Sequence, residues 1–193
     1  AGDTAKWTAS VWIKRADIST GIIFEARADG NNTGALYFQD SDIYWQDYDD
    51  GVGTPAWRLR SDAMYRDPTA WMHLVIINDT GDSTSGDRQR IYVNGTRLTS
   101  FSTATYSSQG YASAQGINST NPHYIGFSGS GDHFGGYMSE FIFLDGIAPS
   151  DASPFGETND DGVWIPKDPS DTDNIADWGG SNSFWLKFAD ATN

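Results

Sequence analysis

RIYVNGTRL, residues 90–98, sets Asn94 and Gly95 between two arms in which apolar and polar side chains alternate. Asn-Gly accepts the two positive φ angles of a type I′ turn, so the stretch reads as a β-hairpin. Upstream, WMHLVII at 71–77 is apolar on both faces except for His73, the pattern of a mid-sheet strand covered on two sides. Nearer the amino terminus, KWTASVWIKR at 6–15 points Trp7, Ala9, Val11 and Ile13 one way and Thr8, Ser10, Trp12 and Lys14 the other. Similar runs at 21–28, 35–39, 42–46, 57–60, 89–93, 96–101, 124–127, 136–144 and 184–188 bring the expected strands to eleven, a sandwich or barrel number. No long window carries apolar residues at helical spacing, and the best helical stretch is one turn near Pro149–Pro154. Parallel βαβ architecture is excluded on that ground.

The 193 residues include 8 Trp, 9 Tyr and 10 Phe, far too aromatic for a disordered chain, with 21 Gly to supply turns. Twelve Lys and Arg face 26 Asp and Glu, a net charge of −14 that repels a polyphosphate backbone and an anionic lipid surface. Neither nucleic acid nor membrane is an expected partner. Cysteine is absent, which excludes a disulfide framework and thiolate metal sites. Two stretches, TGDSTSGD at 80–87 and the polar run 102–121, read as loops, and 159–183 reads as an exposed acidic connection.

Four motifs in order, KWTASVWIKR, DPTAWMHLVIINDT, DRQRIYVNGTRL and HYIGFSGSGDHFGGYMSEFIFLDGIAP, resemble the laminin-G and pentraxin branch of concanavalin A-like jelly rolls. The ending, SPFGETNDDGVWIPKDPS followed by FWLKFAD, resembles that of concanavalin A-like structural proteins of tailed bacteriophages. The resemblance implies an all-β, two-sheet antiparallel sandwich over residues 1–193 as one domain, and a piece of a longer virion protein. It further implies a non-enzymatic surface module such as a tail fibre, spike or capsid decoration. Its partners would be other virion proteins or host surface glycans, it would sit on the virion surface, and it would assemble as a homo-oligomer. Two alternatives stay open: a secreted, calcium-dependent laminin-G-like adhesion domain, which the Asn-x-Ser/Thr sequons at Asn31, Asn78, Asn94 and Asn118 would suit, and a glycan hydrolase on the same fold.

Candidate chemistry is sparse. A retaining glycosidase needs two carboxyl groups roughly 5–5.5 Å apart, whereas Glu25, Glu140 and Glu157 are isolated from one another in the sequence. No catalytic residue is therefore assigned. Glu140 is expected to share a strand face with Met138, Ile142 and Leu144 and to find a partner such as Arg15 or Arg27. His73, His123 and His133 lack the spacing of a zinc site. No cofactor is required by any motif. Calcium, which takes oxygen ligands, would find its best cluster at Asp47, Asp49 and Asp50 in WQDYDDG, and a solvated acidic turn is the simpler reading of the same residues. Around that turn Tyr44, Trp45, Tyr48 and Trp57 supply rings that would stack on a sugar, although tryptophan in a sandwich also serves as core.

Overall fold

The computed structural model describes residues 1–49, 53–169 and 180–188. Its elements in chain order are β1 (Lys6–Arg15), β2 (Gly21–Asp29), β3 (Asn32–Gln39), β4 (Asp42–Asp49), β5 (Trp57–Ser61), β6 (Met72–Asp79), the helical turn α1 (Ser85–Arg88), β7 (Gln89–Val93), β8 (Thr96–Arg97), β9 (Phe101–Thr105), β10 (His123–Ile125), β11 (Gly136–Asp145), β12 (Gly156–Thr158), β13 (Trp164–Pro166) and β14 (Phe184–Leu186). Among the described residues they form two six-stranded sheets, β14-β11-β1-β6-β7-β8 and β10-β2-β3-β4-β5-β9, beside the hairpin β12–β13. Every neighbouring pair is antiparallel. No described helix is long and apolar enough to cross a membrane.

The core follows from strand parity. Trp7, Ala9, Val11 and Ile13 of β1 point inward, as their alternation requires, and join Phe24, Leu36, Phe38, Ile43, Trp45 and Leu59 of the second sheet in one buried cluster. Its aromatic rings meet edge to face, Trp45 on Trp57 at 4.8 Å and Phe24 on Phe141 at 5.1 Å, the arrangement that ring quadrupoles favour.

A second cluster explains why β6 is apolar on both faces. Val75, Ile77, Tyr92, Ile142 and Leu144, on the outer side of the first sheet, pack under Ala152 and Phe155 with Trp164 and Trp185 alongside. Polar ties hold this cover down: Thr8 Oγ1 donates to the Ile147 carbonyl at 2.7 Å, and Arg90 Nη1 and the Tyr92 hydroxyl both donate to the Ser150 carbonyl. The segment read as an exposed connection thus includes β13, and Trp164 is partly buried.

Asn94 and Gly95 adopt φ of 47° and 75°, the left-handed pair of the expected turn. Gly95 is needed twice over, because a Cβ there would lie 2.4 Å from the Trp164 ring. The helical turn sits at Ser85–Arg88, not near Pro149–Pro154, where the chain makes bends and turns. Residues 102–105, read as the start of a loop, form with Phe101 the edge strand β9, whose polar side chains are mostly exposed and give no apolar alternation.

Glu140 departs from expectation. β11 carries a bulge opposite β1, with Ser10 pairing Ile142 but Trp12 pairing Ser139, and Glu140 occupies it at φ 51°. The extra residue breaks parity: Met138 packs against the central core, while Ile142 and Leu144 face outward. The partner of Glu140 is neither arginine but the indole of Trp185, whose Nε1 donates to Oε2 at 2.6 Å. Arg15 is buried and donates to the carbonyls of Tyr65, Ser19 and Asp40, and Arg27 pairs with Glu25.

Candidate functional site

Among the described residues, the outer face of the second sheet has no apolar cover like that of the first. Cross-strand pairing lines up Tyr124, Glu25, Ala35, Gln46, Arg58 and Thr105 in a row across all six strands. A neighbouring row runs Ile22, Tyr37, Tyr44, Arg60 and Thr103, and a short third row holds Arg27, Thr33 and Tyr48. Because side chains alternate, these are the residues left outside when Trp45, Trp57 and Leu59 turn into the core.

These groups are held in place by one another. Glu25, only 3% exposed, accepts hydrogen bonds from Thr33 Oγ1 (3.3 Å), Arg27 Nη1 (3.4 Å), Ser128 Oγ (2.9 Å) and the Gly129 amide (3.1 Å). Buried carboxylates are tolerated when paired in this way, and these bonds fasten the 127–133 loop over one end of the sheet. Arg58 donates from Nε to Gln46 Oε1 at 2.7 Å and from Nη2 to the Tyr48 hydroxyl. Arg60 grips Asp42 at 2.7 Å and lies over the Tyr44 ring, which stacks on Tyr37 at 5.1 Å. Burial pushes the Tyr37 phenol up to about 12, so it stays a neutral donor and acceptor at physiological pH. Between the sheet and the loop lies a groove of about 260 Å³ whose lining includes Thr33, Tyr37, Gln46, Tyr48, Ser130 and Asp132. Fixed hydroxyl, amide and guanidinium groups beside tyrosine rings suit a polyhydroxylated ligand with apolar ring faces.

The sequence candidates separate by parity. Tyr48 lines the groove and Tyr44 lies on the same face, mostly covered at 7% exposure. Trp45 and Trp57 are corrected from stacking platforms to core, being 0% and 3% exposed and packed against each other. Asp47 also points inward and is buried. Its Oδ1 accepts from the hydroxyls of Tyr111 and Ser113, both at 2.9 Å, while Asp49 Oδ2 accepts from the Tyr111 hydroxyl at 3.2 Å and the Ala114 amide at 3.0 Å. The two carboxylates therefore clamp the 106–121 loop. A Cβ on Gly116 would lie 1.9 Å from Asp47 Oδ2, so only glycine fits over the clamp. Burial pushes the Asp47 carboxyl up to about 6. Asp50 lies outside the described residues, among which no three His, Cys, Asp or Glu side chains gather as a metal site would require.

Tyr37, Gln46 and Arg58 were not singled out by sequence, and Glu25 and Arg27 were considered there only as an isolated carboxylate and as a partner for Glu140. The available signal was polarity at strand positions facing away from the core, most plainly Arg58 and Arg60 flanking Leu59. Glu25 and Glu140 lie on opposite outer faces of the sandwich, so they form no carboxylate pair.

The family model described as the concanavalin A-like lectin/glucanases superfamily matches residues 1–151. Among curated proteins none matches the sequence significantly. The fold is similar to the CBM40 domain of the Ruminococcus gnavus IT-sialidase, with TM-score 0.55 and 10% identity over 78% of this chain and 81% of that one. It is also similar to domain 4 of an extracellular GH43 arabinanase from Geobacillus stearothermophilus, solved in complex with arabinotriose, with TM-score 0.54 and 16% identity over 76% of this chain and 64% of that one. A heptameric SAP-like pentraxin from Limulus polyphemus gives TM-score 0.51 and 16% identity over 77% and 67%.

Proposed function

The chain belongs to that superfamily, and on this premise we propose that it is a non-enzymatic glycan-binding module of a virion surface, in a fibre, spike or capsid decoration. The observation that carries the glycan reading is the groove on the second sheet, where Tyr37, Tyr48, Gln46 and Thr33 form a prearranged polar and aromatic lining. The arabinotriose held by the arabinanase domain supports it as a property of a similar fold. The non-enzymatic reading rests on Glu25, whose carboxylate is engaged by four donors, and on the placement of Glu140 across the sandwich. The virion placement rests on the carboxy-terminal motif, and assembly as a homo-oligomer with other virion proteins follows from that placement. Calcium is proposed only as a ligand of the Asp47–Asp50 turn.

A glycan array read with and without calcium tests the proposal. Competable binding that is lost in Gln46→Ala and Tyr48→Ala supports it, and calcium dependence would assign the metal to the acidic turn. Silence across a broad array overturns the glycan reading, and docking onto particles retained in that silence would leave a protein-contact role.

A further inference from the structure

At the end of the first sheet's outer face beyond the apolar cover lies a trough of about 400 Å³, lined by Trp12, Trp71, Ser139, Glu140, Trp164 and Pro166 among others. We propose that this trough binds a methylated ammonium group, held by the indole faces and the Glu140 carboxylate.

The rings come first. Trp12 lies nearly parallel to His73, 4.7 Å between centroids and 13° between planes, so one of its faces is covered. Its neighbour on the other side is Ser139, across the β1–β11 pairing, which puts the second face toward the trough. Trp164 lies edge to edge with His73, 6.0 Å between centroids and 20° between planes, pinned by its Nε1, which donates to His73 Nδ1 at 2.9 Å. Trp71 stands 44% exposed at the rim. Because Nδ1 accepts from an indole, His73 is a neutral imidazole with its proton on Nε2, facing Ser10 Oγ at 2.8 Å; burial pushes its pKa down to about 3. It brings no cation to the trough.

The charge comes second. Glu140 stands in the bulge at φ 51°, a left-handed conformation that a residue with a side chain adopts at some strain, and one that re-aims its carboxylate. Oε2 accepts from Trp185, while among the described residues no base pairs with the carboxylate. The nearby lysines line an adjoining trough: Lys167 Nζ donates to the Ser153 carbonyl, and Lys187 lies over the Trp185 ring. Among the described residues, Glu140 is the one charged residue lining the tryptophan trough, and it also lines the trough that holds the two lysines.

Indole faces with a single carboxylate suit a cation whose shell is methyl groups, since cation–π attraction is strongest to tryptophan. A sugar would bury hydroxyls against too few partners, because Ser139 and Glu140 supply most of the polar groups. A bare ammonium is too strongly hydrated, and a metal ion wants several oxygens.

The test is an indole N–H NMR titration with tetramethylammonium chloride against sodium chloride at matched ionic strength. Saturable shifts of the Trp12 and Trp71 indole signals, with Kd on the order of a few millimolar, are expected. Glu140→Gln keeps an acceptor for Trp185 and removes only the charge; it should weaken binding about tenfold. Trp71→Ala, at an exposed rim, should weaken it about fivefold. A trimethyllysine peptide that binds tighter than tetramethylammonium would place the group on a protein side chain, and equal binding would favour a free cation. Equal shifts with sodium chloride, retained affinity in both variants, or a response to methyl glucoside with none to tetramethylammonium would each overturn the proposal.

Discussion

The two outer faces of the sandwich are built from strands of similar length and end up as opposites. On the first sheet, Val75, Ile77, Ile142 and Leu144 lie beneath Ala152 and Phe155, and the chain itself acts as their solvent shield. On the second, the same outward positions carry polar groups: Glu25 and Gln46 are buried among their hydrogen-bond partners, while Arg58 and Arg60 stay partly exposed. The difference lies in which strands are apolar on both sides, and it teaches that a covered sheet face and a polar one can be told apart from parity alone.

The largest effect should come from lifting the cover. Phe155→Ala removes a ring that is 4% exposed, and urea unfolding should show a loss of about 3 kcal/mol; a loss under 1 kcal/mol would mean that the cover is not part of the cooperative unit.

The clamp beneath the second sheet should show itself in pH. The folded Asp47 carboxyl is raised to about 6, above the ~3.9 of an unfolded aspartate. The folded state therefore holds this proton more tightly, and the stability it contributes is complete below about pH 4 and lost as pH rises through 6, a change of roughly 3 kcal/mol. Asp47→Asn, which still accepts from Tyr111 and Ser113, should abolish that part of the pH dependence and unfold later than the parent at pH 7. Identical pH profiles for the two proteins would refute the assignment.

Gly95→Ala joins the two regions, because the turn and the cover meet where Trp164 covers Gly95. Left-handed strain plus displacement of the ring should cost about 2 kcal/mol, visible in thermal melting as a lower midpoint. Least costly to the fold is Arg58→Ala, partly exposed on the same sheet face beside the groove, expected within about 0.5 kcal/mol of the parent. Glycan affinity should nevertheless fall severalfold, because Gln46 and Tyr48 lose the group that positions them.

Much of the fold was legible because β1 and β6 write their environments in their alternation, and Asn94-Gly95 writes its turn. The groove was less so. Tyr44 and Tyr48 were chosen together with Trp45 and Trp57 for their rings, although Trp45 sits at the opposite parity to Tyr44 and had to face inward once Ile43 did. The bulge at Glu140 had no signal at all, since the residue that takes the positive φ is not glycine. β9 was hidden for a different reason: an edge strand of Phe, Ser, Thr and Ala has no buried face to mark it.

Among the described residues, the strands that end each sheet are short. β8 spans two residues, β10 and β14 three each, and β9 carries Ser102, Thr103 and Thr105. Unpaired edges recruit further strands only where they are long and apolar. Copies of this domain crowded side by side would therefore keep their sheets separate rather than fuse into a continuous β-structure.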